Sequence, residues 1–268
     1  MKVNAMKVHT RKARHLAAMT FGAAAALTST SVLAQTSASD VRLFQNYYFD
    51  AVITGSPYIG GRVAYADFDS GVDVTDIDVF GGITVNPDLE IEGQIGHRRV
   101  SFPSPGGSES GLKDLLITGR YMLDVDGPAD IAVGSYVTAP IGKEEVGQDR
   151  LDIGAYVASR YAVSSRVTLT GNASFHLFDG NPNDIGPGGS DSRYSGLQLG
   201  AGMLYALSNE THLVVEAAAG PTRLFGGALS AGLDHNIGAA RIRGAAIVGT
   251  EDSLFDDVGL IAEFTLPL

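Results

Sequence analysis

Ser174 and His176 stand two residues apart, a spacing that puts both side chains on one face of a β-strand. A serine hydroxyl within reach of an imidazole is the start of a nucleophile–base pair, and acyl transfer is the chemistry it would serve. The surrounding sequence supplies no obvious acid to orient the histidine. His97 and Ser101 form a second candidate with no more support. A larger set of polar residues shows a clearer order. Arg62, Asp78, Glu90, Glu92, Arg98, Arg120, Asp152, Arg160, Arg166, His176, Glu216, Arg241, Arg243 and Glu263 all fall on the polar face of alternating segments. Arginine dominates the cations there, and lysine is nearly absent. Guanidinium groups make planar, multiply hydrogen-bonded pairs with carboxylates. Opposed rings of such groups across a narrow passage suit the orientation of a polar or amphipathic solute.

Strands must position these residues. In the segment 166–177, Val167, Leu169, Gly171, Ala173, Phe175 and Leu177 alternate strictly with Arg166, Thr168, Thr170, Asn172, Ser174 and His176. The same reading gives about twelve strands, at 58–67, 75–85, 88–101, 113–123, 129–139, 150–162, 166–177, 193–207, 211–221, 227–234, 239–249 and 257–268. Short turns such as Asn86-Pro87-Asp88 and Ser208-Asn209-Glu210 alternate with longer polar loops. Short connections on one side and long ones on the other are the pattern of bacterial outer-membrane barrels. The expected fold is therefore all-β, a transmembrane antiparallel up-and-down β-barrel whose apolar face looks outward and whose charged face lines the lumen. Tyr121, Tyr161 and Tyr205 each stand a few residues before a short turn and are expected to form an aromatic girdle at the periplasmic interface.

Composition agrees and excludes several classes. The chain has 268 residues, 44% hydrophobic and 18% charged, with no Cys, 34 Gly and a net charge of −11. Without Cys there is no disulfide framework or thiolate metal site, and no cofactor or metal is expected. The acidic balance argues against a nucleic-acid partner. Residues 1–34 carry Lys2, Lys7, Arg11, Lys12 and Arg14 with no acid, then an apolar stretch from Leu16 to Leu27 and the small-x-small signature Val32-Leu33-Ala34. This reads as a secretory signal peptide. Its removal takes Lys+Arg from 19 to 14 against 30 acids, a net charge of −16. The C-terminal alternation of Ala262, Phe264, Leu266 and Leu268 resembles the strand that outer-membrane assembly machinery recognises, although Leu replaces the usual Phe and Pro267 interrupts the end.

Several motifs resemble one family. Ser110-Gly111-Leu112-Lys113-Asp114-Leu115 with Gly119-Arg120-Tyr121, then Thr138-Ala139-Pro140-Ile141-Gly142, then Leu197–Gly202 leading into Leu204–Ser208, are similar to segments of the MetA-pathway of phenol degradation family of outer-membrane proteins. The resemblance spans roughly 58–268. It implies a barrel of about twelve strands and a channel for small, often hydrophobic or aromatic compounds. Residues 35–57 precede it, and the aromatic run Phe44–Asp50 reads as a periplasmic extension, an extra strand or a plug entering the lumen.

Three functions follow. The first is a small-solute channel seated in outer-membrane lipid and lipopolysaccharide. The second is a lipid-modifying barrel enzyme built on Ser174 and His176. The third is a structural or adhesive barrel whose acidic loops, Glu144-Glu145, 179–191 and 251–257, hold divalent cations.

Overall fold

The structure is a computed structural model and describes residues 40–45, 47–68, 70–103, 105–146, 149–180, 193–220, 227–249 and 258–268. The expected export signal and the acidic stretches at 181–191 and 251–257 lie outside these residues.

Thirteen strand segments follow the alternation: β1 (Tyr58–Asp67), β2 (Asp73–Asn86), β3 (Leu89–Ser101), β4 (Ser108–Leu112), β5 (Leu115–Leu123), β6 (Ala129–Ala139), β7 (Ile153–Ala162), β8 (Val167–Asp179), β9 (Arg193–Ala206), β10 (Thr211–Ala219), β11 (Gly227–Ile237), β12 (Ala240–Gly249) and β13 (Val258–Pro267). Consecutive strands pair antiparallel, except that β4 and β5 both pair with β3, and β13 closes the sheet onto β1 with Tyr58 opposite Pro267 and Asp67 opposite Val258. Closure of β13 onto β1 removes the free edges of an open sheet, which is what a spanning sheet requires.

β4 and β5 lie end to end against one partner. β4 pairs with His97–Ser101 of β3, and β5 pairs with Leu89–Gln94. They are two halves of one barrel strand, so the barrel has twelve. The sequence predicts a loop over 102–112 and a strand over 113–123; instead β4 forms within that loop, and Lys113-Asp114 interrupt the strand before β5 begins at Leu115. The cause is local. The Asp114 carboxylate accepts hydrogen bonds from the backbone amides of Gly142, Asp149 and Arg150, holding the loop after β6 in place of a ladder partner. Asp149 adopts a left-handed φ of 66° in that loop.

The two faces of the sheet are inverted relative to a soluble protein. Outward-facing Leu197, Ile77 and Phe264 are more than half exposed, at 59%, 57% and 52%. Their inward neighbours Gln198, Asp78 and Glu263 are buried, at 4% or less. Turns after β2, β5, β7, β9 and β11 are short and define one end of the barrel; the longer loops define the other. Tyr121, Tyr161 and Tyr205 sit on alternate strands near the short-turn end. The first two are exposed on the outer face and the third is half-buried.

Candidate functional site

The lumen holds the described residues of the segment 40–57. Among its described residues this segment forms no strand; it enters at the short-turn end, where Asp40 meets Arg241, makes a 3-10 turn at Tyr47–Phe49, and leaves into β1. Because its described residues bond to inward-facing side chains of the barrel, we refer to this segment as the plug. Its side chains and backbone are fixed by the charged groups of the wall.

Arg42 lies at the centre of the first contact set. It donates to Glu90 Oε1 at 2.5 Å, to Glu92 Oε2 at 2.8 Å and to Thr54 Oγ1 at 2.8 Å. Glu92 Oε2 also accepts from the Tyr58 hydroxyl at 2.7 Å and from Arg120 at 3.2 Å. Arg120 donates to the Val52 carbonyl at 2.9 Å, and Glu90 Oε2 accepts from the Thr54 amide at 2.7 Å. Two cations thus share two carboxylates, and the plug adds bonds through Thr54 and the Val52 carbonyl, while Glu92 Oε1 has no hydrogen-bond partner among the described residues. Such pairing is what makes buried charge tolerable in a low-dielectric interior.

Asp50 lies at the centre of the second. Arg160 reaches it with Nε at 2.8 Å and Nη2 at 2.5 Å, while the Leu43 amide donates to Oδ2 at 3.1 Å. Glu216 accepts from the consecutive amides of Phe44 and Gln45, the second at 3.1 Å. Arg243 donates to the Arg42 and Leu43 carbonyls, pairs with Glu263 at 2.7 Å and lies 4.4 Å from the Phe44 ring centre. Arg241 pairs with Asp40 at 2.5 Å near the short-turn end.

The structure places the charged residues read from the sequence as follows. Glu90, Glu92, Arg120, Arg160, Glu216, Arg241 and Arg243 meet the plug and not the facing wall. Arg98 binds Asp76 with two hydrogen bonds of 2.7 Å, and Lys113 bridges Asp76 and Asp78 at 2.8 and 2.7 Å. Arg62 stands 3.6 Å from Glu263. Asp152 accepts from the Asp179 amide at 3.0 Å. Arg166 does not line the lumen: it is exposed in the turn between β7 and β8, one residue before the ladder begins.

Arg42, Asp50, Asp76, Lys113 and Asp114 were missed as site residues. The sequence carries a signal for two of them, since Arg42 and Asp50 are lone charges bracketing an uncharged, aromatic-rich run. His97 is exposed on the outer face. Ser174 Oγ does meet His176 Nε2 at 2.7 Å, with the Tyr136 hydroxyl 2.8 Å from Nδ1. A phenol thus stands where a triad would place a carboxylate.

Two cavities flank the plug tip. One, about 170 Å³, is lined mainly by Ala64, Ala66, Val74, Ala218, Ile247 and Ile261. The other, about 250 Å³, is lined by Tyr48, Phe49, Tyr136, His176 and Phe178 together with Gln94 and Lys113. Gln45 of the plug and Gln198 of β9 border both.

With this geometry in view, the comparisons are informative about fold. No family model matches the chain, and no curated protein matches it. Among solved structures, it is similar to the COG4313 outer membrane channel from Pseudomonas putida F1, at 13% identity and a TM-score of 0.64, covering 82% of this chain and 98% of that one. The KdgM porin, solved with disordered oligogalacturonate, matches at 7% identity and a TM-score of 0.54, covering 79% and 99%. The NanC porin matches at 9% identity and 0.54, covering 78% and 100%. The chain has the fold of an outer-membrane β-barrel. The phenol-degradation resemblance continues to rest on its motifs.

Proposed function

We propose that the protein is an outer-membrane channel for small hydrophobic or aromatic solutes, closed at rest by residues 40–57. In this reading the signal at 1–34 directs export, the apolar outer face sits in lipid with lipopolysaccharide around the long loops, and β13 serves the assembly machinery. The observation that carries the reading is how the lumen is obstructed. The plug is held by side-chain contacts and belongs to no strand, so it can leave while the barrel ladder stays whole. A barrel of twelve strands is also wider than the eight-strand size that side chains simply fill. The likeness to channel and porin folds and the motif resemblance point the same way.

A catalytic role has less support. Ser174 is buried, lines neither cavity and has no carboxylate behind its histidine. The test is solute flux through the mature protein in liposomes and planar bilayers. Flux that increases when Arg42 or Asp50 is removed supports the channel. A barrel that passes no small solute with or without these residues is instead the non-conducting structural barrel.

A further inference from the structure

We infer that the 250 Å³ cavity beside the plug tip is a binding subsite for one uncharged aromatic ring carrying a hydrogen-bond donor. This rests on the channel reading and names where the solute pauses in it. The volume fits: an apolar cavity of about 150 Å³ holds benzene, which leaves room here for one polar substituent.

The walls fit as well. His176 and Phe178 project from alternate positions of β8 and stack at 5.4 Å with only 9° between their planes. Phe49, from the plug, meets His176 edge-on at 5.4 Å and Tyr136 at 5.8 Å. Both His176 nitrogens are engaged by hydroxyl groups, which fixes the ring as a wall. Tyr136 is held flat because its ring lies directly over Gly154, its cross-strand partner, where no Cβ intervenes. Rings so arranged offer faces and edges to a further ring.

The polar end is set by Gln94. Its side chain is 92% buried by residue exposure, lines the cavity, and its Oε1 has no hydrogen-bond partner. A buried carbonyl oxygen left unmatched is costly, and a donor on the ligand would satisfy it. Charge selects against anions. The two cations on the cavity, Arg98 and Lys113, are already bound by Asp76 and Asp78, and Asp114 adds a further carboxylate.

The test uses the mature protein in detergent and ¹⁹F NMR titration with 4-fluorobenzyl alcohol, its near-isostere 1-ethyl-4-fluorobenzene, and 4-fluorobenzoate. Differences between variants cancel partition into the micelle, and heat-modifiable migration on gels verifies each barrel. Gln94→Leu is expected to weaken the alcohol about fivefold and leave the ethyl compound unchanged. Phe49→Ala, in the plug and outside the barrel ladder, is expected to weaken both about tenfold. The benzoate is expected to bind more weakly than the alcohol. Equal effects of Gln94→Leu on alcohol and ethyl compound, tighter binding of the benzoate, or no saturable site would overturn the subsite. Conductance separates the two readings: a conducting barrel without this binding fails the subsite alone, and binding without conductance fails the channel alone.

Discussion

Asp50 and Arg160 meet in a two-point pairing, Nε at 2.8 Å and Nη2 at 2.5 Å, which ties the plug to β7 across 110 positions of sequence. The same guanidinium donates to the carbonyl of Val41. One wall residue therefore clamps the segment both on its way into the lumen and on its way out. Burial alone would push the Asp50 carboxyl up, but Arg160, with Arg120 behind it, outweighs burial and holds it below the ordinary aspartate value.

Asp50→Ala is expected to loosen the plug. Removing one partner strands a buried guanidinium, a penalty of about 3–5 kcal/mol against the closed arrangement. Arg160→Ala strands the carboxylate and acts in the same direction. The double variant should be less destabilised than the two single effects added together, since the pair is one interaction. Hydrogen exchange at residues 40–57 measures this, with protection falling there while strands β6 to β8 keep theirs.

Acid should do the same reversibly. The folded carboxyl titrates below 3.8, its ordinary value, so its stabilisation of the closed state is fully present above that value. It is lost as pH falls through the depressed value. The Asp50 contribution to plug protection, read as the difference between wild type and Asp50→Ala, is thus expected to be flat from neutral pH down to about 4 and to fall below it.

Asp114 gives a prediction confined to one loop. Its carboxylate serves three backbone amides, so Asp114→Ala leaves three donors without their acceptor. Each unsatisfied donor costs about 1–3 kcal/mol if it stays buried, so the loop is expected to open to water. Proteolysis within 140–152 should speed up, with the barrel's heat-modifiable migration unchanged.

The glycines beneath the inner-wall tyrosines are a packing test. A Cβ at Gly154 would fall on the Tyr136 ring and one at Gly134 on the Tyr156 ring. Gly154→Ala should force Tyr136 off the wall and cost about 1–3 kcal/mol in thermal unfolding. Gly93→Ala, where a Cβ meets only a backbone oxygen at 3.8 Å, should be near neutral.

Much of the barrel was legible because lipid and lumen impose opposite demands on successive residues. The alternation from Val167 to Leu177 reappears as exposed Leu169, Phe175 and Leu177 against buried Thr170, Ser174 and His176. The strand break at Lys113-Asp114 was not legible, because its cause is a loop that comes back to Asp114 from 28 positions away. The partners of the lumen charges were hidden for a similar reason. Arg42 sits 48 positions from Glu90 and lies in a segment without periodicity, so no strand register could pair them. Arg166 shows the limit of parity at an end: it continues the polar face in sequence, yet the ladder begins at Val167.

The central claim is that residues 40–57 close a channel. Single-channel recording of the mature protein and of Asp50→Ala in planar bilayers at neutral pH tests it most directly. The account predicts a wild-type barrel that is closed or opens only briefly, and a variant with sustained openings of larger conductance. Both proteins inserted and silent, with every small solute tried, would contradict it.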